Sequence, residues 1–432
     1  MTSKSIPLAS SAAVAIFATL LCCVPSTAAQ TYQVLYNFGG PGGVINTFVG
    51  AIPFSGVVFD HDGNLYGTTA SGGIPSSFNN CDSYPGCGTV FELTPNQGGP
   101  WRAKFIHFFQ GSDGANPTSP LMFDSQGNLY GTSNCPRDCA SLLGGVVYQL
   151  SPDSGSNWTF SVLYGFGEAG CNGYGTCSVA FDPFGHLYGS EILGFSDCFA
   201  SAGEIIALDQ AALSSWYRLV VHCFDGGTGG GDPTGTLAFD GQGSIYGVTI
   251  GGGSSGVGTV YKIARKPGSP RWTETVLYSF QGGSDGANPE AGVAFDSMGN
   301  LYGTTSQGGS ANMGTVYKLT PQSNGTWTES VLYSFQGSGD ASAPNSTLSF
   351  DTAGDLYGTA AGGAHGHGAV FKLTPSPGGQ WTETLEYSFT GGLDGDTPSG
   401  GVTLDASGNL YGTTQMGGIY GQNGGVAFEI TP

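Results

Sequence analysis

The chain has 432 residues, only 10% of them charged, and its 31 acidic against 11 basic residues give a net charge of −20. A nucleic-acid partner requires a basic surface that displaces counterions from phosphates, so this composition excludes nucleic acid as a ligand. It also disfavours docking on anionic membranes. Cations, neutral glycans and basic proteins remain as candidate partners.

The first 29 residues predict a signal peptide. Residues 12–24 form an apolar run that is too short to span a bilayer, and small residues precede the expected cleavage site. Cys22 raises the alternative of a lipid anchor, but Leu21 stands where the lipobox has a small residue. We therefore expect an exported protein, extracellular or periplasmic, with no membrane span and with residues 30–432 as its single domain.

Eight cysteines follow the predicted signal peptide. An even number of cysteines in an exported chain is typical of disulfides. Sequence proximity suggests these pairs: Cys81–Cys87, Cys135–Cys139, Cys171–Cys177 and Cys198–Cys223. Metal binding at Cys135 and Cys139 is the alternative, although no second pair of ligands lies at zinc-site spacing.

A tandem repeat dominates the sequence. The tripeptide Leu/Ile-Tyr-Gly occurs seven times at intervals of 54 to 64 residues, beginning at Leu65, Leu129, Leu187, Ile245, Leu301, Leu356 and Leu410. Each copy follows a Phe/Leu-Asp turn and precedes a Gly-rich loop, an apolar segment, and a segment that runs from Trp to Phe. Such a period, with several short strands per repeat, is typical of a propeller.

Each repeat predicts four strands, which we call a to d. Strand a ends at Phe-Asp, an Asp-x-x-Gly-Asn hairpin leads to strand b, strand c ends near Thr-Pro, and strand d begins at Trp. We expect strands b to d to be apolar on both faces, as in stacked blades. We also expect the glycine after each strand-b tyrosine, such as Gly303, to let adjacent sheets approach closely.

The two ends of the chain predict how the ring closes. The C-terminal repeat stops after strand c, whereas residues 34–38 near the N-terminus have the pattern of an isolated strand d. The first strand should therefore complete the last blade and remove both open sheet edges. The expected fold is an all-β, seven-bladed propeller with four antiparallel strands per blade.

The repeat resembles a known family. Its segments Gly-Asn-Leu-Tyr-Gly-Thr-Thr and Gly-Thr-Val-Tyr-Lys-Leu-Thr-Pro are similar to the GloVer tandem repeat of exported proteins from Gloeobacter, Verrucomicrobia and Acidobacteria. The similarity is most specific in repeats four to seven, and repeat three diverges most. The resemblance implies a propeller and export, and it carries over no catalytic residues.

Candidate site residues lie on the loops between strands d and a and between strands b and c, which share one face around the central channel. A recurring Phe-x-Gly-x-(x)-Asp pattern places an aspartate on four of these loops: Asp113, Asp285, Asp340 and Asp394. These carboxylates could form a ring that binds Ca²⁺ or sugar hydroxyls. Alternatively, each aspartate caps its own turn. Glu290 and Asn345 are polar residues without counterparts in the other repeats, and His365 and His367 form a candidate metal pair.

These observations predict a monomeric, non-enzymatic binding module that recognises a glycan or a protein through its loop face. Two alternatives stay open. The first is a propeller enzyme of the polysaccharide lyase, hydrolase or lactonase type, with Glu290, Asn345, His365 and His367 as candidate residues. The second is a structural component of a surface layer or matrix. No cofactor is required by the sequence, and Ca²⁺ is the one we would test.

Overall fold

The computed structural model describes residues 30–40, 49–73, 81, 86–96, 100–134, 145–155, 157–166, 178–192, 198, 202–210, 216–266, 268–337 and 339–431. Seven antiparallel sheets of these residues are arranged in a ring and form a seven-bladed propeller. The fold prediction is therefore confirmed. The predicted signal peptide, residues 1–29, lies outside the described residues.

Each blade is a meander in which strand a lies nearest the channel and strand d is outermost. In the order a to d, blade 1 comprises Val58–Phe59, Leu65–Thr69, Thr89–Thr94 and Arg102–Phe108, and blade 2 comprises Met122–Phe123, Leu129–Ser133, Val146–Pro152 and Trp158–Gly165. Blade 3 comprises Val179–Phe181, Leu187–Glu191, Glu204–Gln210 and Trp216–Cys223. Blade 4 comprises Gly231–Phe239, Ile245–Gly251, Thr259–Arg265 and Trp272–Ser279. Blades 5 and 6 comprise Ala294–Phe295, Leu301–Thr305, Thr315–Pro321 and Trp327–Ser334; Ser342–Pro344 with Ser349–Phe350, Leu356–Gly362, Ala369–Pro375 and Trp381–Ser388.

Blade 7 closes the ring with both ends of the chain. Its strand a is split into Asp396–Pro398 and Thr403–Leu404, strand b is Leu410–Met416 and strand c is Val426–Thr431. The N-terminal strand Thr31–Asn37 pairs with strand c as strand d, in a register that runs from Thr31 opposite Thr431 to Asn37 opposite Val426. The predicted closure is confirmed.

Two smaller elements complete the described structure. A two-stranded sheet joins Gly50–Ala51 to Ser71–Gly72. A short 3₁₀ segment, Gly418–Asn423, lies between strands b and c of blade 7. No helix in the described part of the chain is long and apolar enough to cross a membrane.

Burial differs between the inner and outer strands. Strand b of blade 5, Leu301–Thr305, is buried throughout, and strand c begins with three buried residues. Strand d instead alternates, with Thr328 and Ser330 exposed. The expectation that strand d is buried on both faces was wrong, because strand d is the outer edge of each blade and one of its faces meets solvent.

The glycine of strand b serves the strand beside it rather than the next sheet. Gly303 lies opposite Tyr317 of strand c, and a Cβ on Gly303 would lie 2.3 Å from the Tyr317 hydroxyl. The ring of Tyr317 therefore packs directly over the glycine backbone. This corrects the expectation that Gly303 allows close contact between adjacent sheets, since the contact is made within one blade.

Adjacent blades are held together by hydrophobic clusters that combine residues of both. One cluster joins Tyr246 and Val260 of blade 4 to Leu301 and Tyr317 of blade 5, with Trp327 packed against it. The rings of Tyr246 and Trp327 meet edge to face with centroids 6.4 Å apart. The aromatic residues of the repeat thus form the interfaces between blades.

Two predicted disulfides, Cys81–Cys87 and Cys198–Cys223, are present. The other two predicted pairs, Cys135–Cys139 and Cys171–Cys177, lie outside the described residues, as does the alternative metal site at Cys135 and Cys139.

Candidate binding site at the channel mouth

In six blades, a residue with a strained backbone conformation precedes the residues that line the channel. The residue before the proline that follows the d–a loop is not glycine, yet its φ lies between 49° and 59°: Ile52, Asn116, Asp232, Asn288, Ala343 and Thr397. Such left-handed conformations are costly for residues with a side chain. In each case the backbone N–H donates a hydrogen bond to the b–c loop of the preceding blade, as from Ala343 to the carbonyl oxygen of Met313 at 2.8 Å.

This backbone geometry turns the next residues toward the central axis. One of the two residues after this proline lines the channel in six blades: Ser55, Thr118, Thr234, Glu290, Asn345 and Ser399. Blade 3 has no such proline, and Ser178 lines the channel there. These residues enclose a cavity of about 330 Å³, together with apolar residues such as Ile192 and Ile250. The mouth therefore combines hydroxyl, amide and carboxylate groups with short apolar surfaces.

Glu290 is the single carboxylate among the described lining residues of this cavity. Its side chain is exposed, and its Oε1 accepts a hydrogen bond from the Ser306 hydroxyl at 2.8 Å. Its backbone carbonyl accepts the hydroxyl of Thr234 at 3.2 Å, which joins blades 4 and 5. Glu290 is thus held by a hydrogen bond at Oε1, and its side chain is exposed at the mouth.

Asn345 lies two blades from Thr234 around the same mouth. Its Oδ1 accepts a hydrogen bond from Thr359 at 3.4 Å. The structure therefore brings together two of the predicted candidates, Glu290 and Asn345. Sequence reasoning missed the hydroxyl residues of the ring, although in blades 1, 2, 4 and 7 their position one or two residues after the recurring proline was a usable signal.

The four loop aspartates each bind their own turn. Asp285 accepts the Tyr278 hydroxyl at 2.7 Å and the Gln281 N–H at 2.6 Å. Asp340 and Asp394 make the same contacts with Tyr333 and Gln336, and with Tyr387 and Thr390. In the turn of Asp113 a histidine replaces the tyrosine, and His107 Nε2 lies 3.0 Å from Asp113 Oδ2. The described channel lining includes none of the four, and their role in Ca²⁺ or sugar binding stays a prediction.

Hydrogen bonding also sets the charge of the Asp394 turn. Burial alone would raise the pKa of Asp394, but hydrogen bonds from Thr390 and Tyr387 outweigh it and hold that pKa below its usual range. The carboxylate therefore stays ionised as a turn cap.

The two candidate histidines, His365 and His367, differ in their surroundings. His367 Nδ1 lies 3.1 Å from Asp396 Oδ2, while His365 is exposed. Across the described ranges, neither histidine belongs to a group of three His, Cys, Asp or Glu side chains at ligand distance. Metal binding at His365 and His367 stays a prediction.

Blade 3 contains a buried charged cluster that the sequence analysis did not identify. Glu191 and Glu204 face each other on strands b and c, at 1% and 0% exposure. Arg218 of strand d ion-pairs with both, at 3.4 Å from Glu191. Burial and the Glu204 carboxyl raise the pKa of Glu191 well above its usual range, against the opposing effect of Arg218.

This cluster lies beside the disulfide Cys198–Cys223. Cys198, Glu204 and Cys223 are close enough in space to resemble a metal site. Both sulfurs are committed to the disulfide, however, so neither offers the thiolate that a metal binds. The cluster is therefore part of the scaffold of the divergent third repeat.

Fold and site together define a propeller of tandem repeats whose polar channel mouth is built from every blade. The family model described as the Gloeobacter/Verrucomicrobia repeat matches residues 240–432, which form most of blades 4 to 7. This match confirms the predicted resemblance over that part of the chain. No curated protein matches the sequence.

Solved structures resemble the chain distantly. One is named an oxidoreductase (glucose dehydrogenase) from Thermus thermophilus, with 15% identity, a TM-score of 0.41, and coverage of 93% of this chain and 100% of that one. A luciferin-regenerating enzyme shares 12% identity at a TM-score of 0.42, covering 89% and 92%. A protein of unknown function from Dyadobacter fermentans shares 12% at 0.40, covering 93% and 99%.

Proposed function

We propose that the protein is an exported, non-enzymatic module that binds a neutral glycan at the loop-face mouth of its central channel. The observation that carries this proposal is the ring of neutral hydroxyl and amide side chains around a cavity of about 330 Å³. The Ser178 and Ser399 hydroxyls donate to the carbonyl oxygens of Gly235 and Phe54 at 2.6 and 2.8 Å, so their oxygens remain to accept hydrogen bonds from sugar hydroxyls, and no charged ligand is required. The apolar residues between them supply contact for the faces of sugar rings.

A non-catalytic role fits the carboxylate content of the mouth. Glycoside hydrolysis generally uses two carboxyl groups that flank the scissile bond. The described lining contributes Glu290 alone. The predicted enzyme alternative is kept as an outcome of the experiment below, because a lyase or lactonase could use a different set of groups.

The experiment is a thermal-shift screen of the purified protein against soluble glycans, CaCl₂ and EDTA, followed by titration calorimetry of any hit. A ligand at about 100 times its Kd adds roughly 2.7 kcal/mol to the free energy of unfolding. We expect a shift with one class of neutral glycan, weakened by Glu290→Gln and by Asn345→Ala.

Asp285→Ala is the matched control, since that carboxylate caps a loop outside the described lining. A glycan shift that Asp285→Ala abolishes while Glu290→Gln and Asn345→Ala retain it would move the site to the loop aspartates. Turnover of the bound glycan would support the enzyme alternative. If glycans bind nowhere and a protein is captured through the same residues, the ligand is a protein.

A further inference from the structure

Three blades carry an internal lysine at one position of strand c. Lys262, Lys318 and Lys372 each lie opposite the tyrosine of strand b in their own blade. Their Nζ atoms lie 5.0, 5.3 and 5.3 Å from the centroids of those tyrosine rings. Lys262 also lies 3.3 Å from Asp240, and Lys372 2.6 Å from Asp355. In blades 4 and 6 the ammonium group therefore lies between an aromatic ring and a carboxylate.

Blade 1 reverses the charge at this position. Glu92 lies opposite Tyr66, at the position that lysine holds in blades 4, 5 and 6. The rest of the arrangement is retained, since the Tyr66 hydroxyl still donates to Asp60 at 3.1 Å, as Tyr246 does to Asp240. The Glu92 side chain is only 16% exposed, and its nearest cation is Lys104 at 3.7 Å, whose own side chain is 45% exposed.

A cleft of about 700 Å³ opens at this point between blades 1 and 2. It lies on the face of the a–b and c–d turns, opposite the proposed glycan site. Trp158 and Phe123 form an apolar wall beside Tyr66, with the Trp158 and Tyr66 rings 5.7 Å apart. The described lining contains no lysine or arginine and carries these carboxylates: Asp60, Asp62, Glu92, Asp124 and Asp153.

The carboxylates that cap turns are poorly suited to a divalent metal. Asp60 Oδ1 accepts two backbone N–H groups at 2.9 Å, and Asp124 and Asp153 do the same in their own turns. Their lone pairs are therefore largely used. Of the five lining carboxylates, Asp62 and Glu92 accept no described turn hydrogen bond, and Glu92 is the one that lies opposite Tyr66.

We propose that this cleft binds a primary alkylammonium group, with Glu92 as its counter-ion and the Trp158 wall in contact with the alkyl stem. The ammonium group of the ligand would take the place beside the strand-b tyrosine that the side chains of Lys262, Lys318 and Lys372 occupy in their own blades. A free diamine and a lysine side chain of a partner protein share this chemistry. Blade 7 also has a glutamate at this position, but Glu429 already accepts the Tyr411 hydroxyl at 2.9 Å.

The test is titration calorimetry of the purified protein with cadaverine, with N-acetyl-lysine amide and with pentan-1-ol as the uncharged analogue. We expect the two amines to bind, the alcohol to bind at least about tenfold more weakly, and affinity to fall with salt. Tighter binding of cadaverine than of the lysine derivative indicates a free diamine, and the reverse indicates a lysine side chain.

Variants test the assignment in both directions. Glu92→Lys copies the lysine-containing blades, so it should fold and should abolish amine binding. Lys104→Gln removes the internal cation, so it should tighten binding. Lys318→Gln, in blade 5, is the matched control and should change nothing. Equal binding of cadaverine to the Glu92→Lys variant, equal binding of pentan-1-ol, or displacement of cadaverine by stoichiometric CaCl₂ would overturn the proposal.

Discussion

Replacing Arg218 by methionine should destabilise the protein strongly, because it leaves Glu191 and Glu204 buried without their cation. At pH 7 the pKa of Glu191, raised to about 8, keeps most of that carboxyl protonated, so the ion pair that is lost is mainly the one between Arg218 and Glu204. Removing one partner of a buried ion pair typically costs about 3–5 kcal/mol. We therefore expect Arg218→Met to lower the free energy of unfolding by about 3–5 kcal/mol at pH 7.

Other blades supply the matched rescue. In blade 4 the positions of Glu191 and Glu204 are held by Thr249 and Thr259, whose hydroxyls are 2.9 Å apart. The triple variant Glu191→Thr, Glu204→Thr, Arg218→Met should therefore recover the stability of the natural protein or exceed it by about 1–4 kcal/mol, as replaced buried ion clusters often do.

The assay is urea denaturation followed by tryptophan fluorescence at pH 7 and pH 5, without reductant so that Cys198–Cys223 stays closed. The cost of Arg218→Met should be smaller at pH 5, because buried carboxyls that lose their cation take up protons there. A cost below about 1 kcal/mol at both pH values would refute the reasoning. So would a triple variant as unstable as the single one.

Three further predictions concern the repeat. Gly303→Ala should lower the free energy of unfolding by about 1–3 kcal/mol in a denaturant titration, because the new Cβ meets the ring of Tyr317. Gly189→Ala, at the same position of blade 3, should cost less, and Tyr317→Ile should rescue Gly303→Ala. Equal costs of the two glycine substitutions would contradict this. Burial, aided by a neighbouring aspartate, raises the pKa of Glu329 to about 7. The contribution of Glu329 to the stability of the fold is therefore full below about pH 4.3 and is lost as pH rises through about 7. Glu329→Gln should flatten this decline when Tm is measured against pH, and an unchanged slope would argue against it. Ala343→Asn should raise the free energy of unfolding by about 0.5–1 kcal/mol, since asparagine tolerates the left-handed conformation, and a lower Tm would count against strain at that residue.

The fold was predictable because one local pattern recurs seven times. The Trp that opens strand d, the Asp hairpin and the isolated first strand each had one consistent place in a closed ring. Strand d was misjudged because its apolar residues form the same pattern whether one face or both are covered. Gly303 was misjudged because the sequence does not show whether a glycine makes room for its own blade or for the next.

The site was predictable only where a residue departed from the repeat. Glu290 and Asn345 stood out because their counterparts differ, and the structure places both at the channel mouth. The loop aspartates recur, and their oxygens are bound within their turns. The Glu191–Glu204–Arg218 cluster depends on a register between three strands, so its members are far apart in the sequence and gave no local signal.

The pairing of Thr31 with Thr431 fixes how the propeller would face its surroundings. Both residues lie at the edge of the turn face, where strand c of blade 7 ends and its strand d begins. A tether attached just before Thr31 or just after Thr431 would therefore leave from the side away from the channel mouth. Immobilised in this way, the protein would present its channel mouth outward and keep the Glu92 cleft on the side of the support.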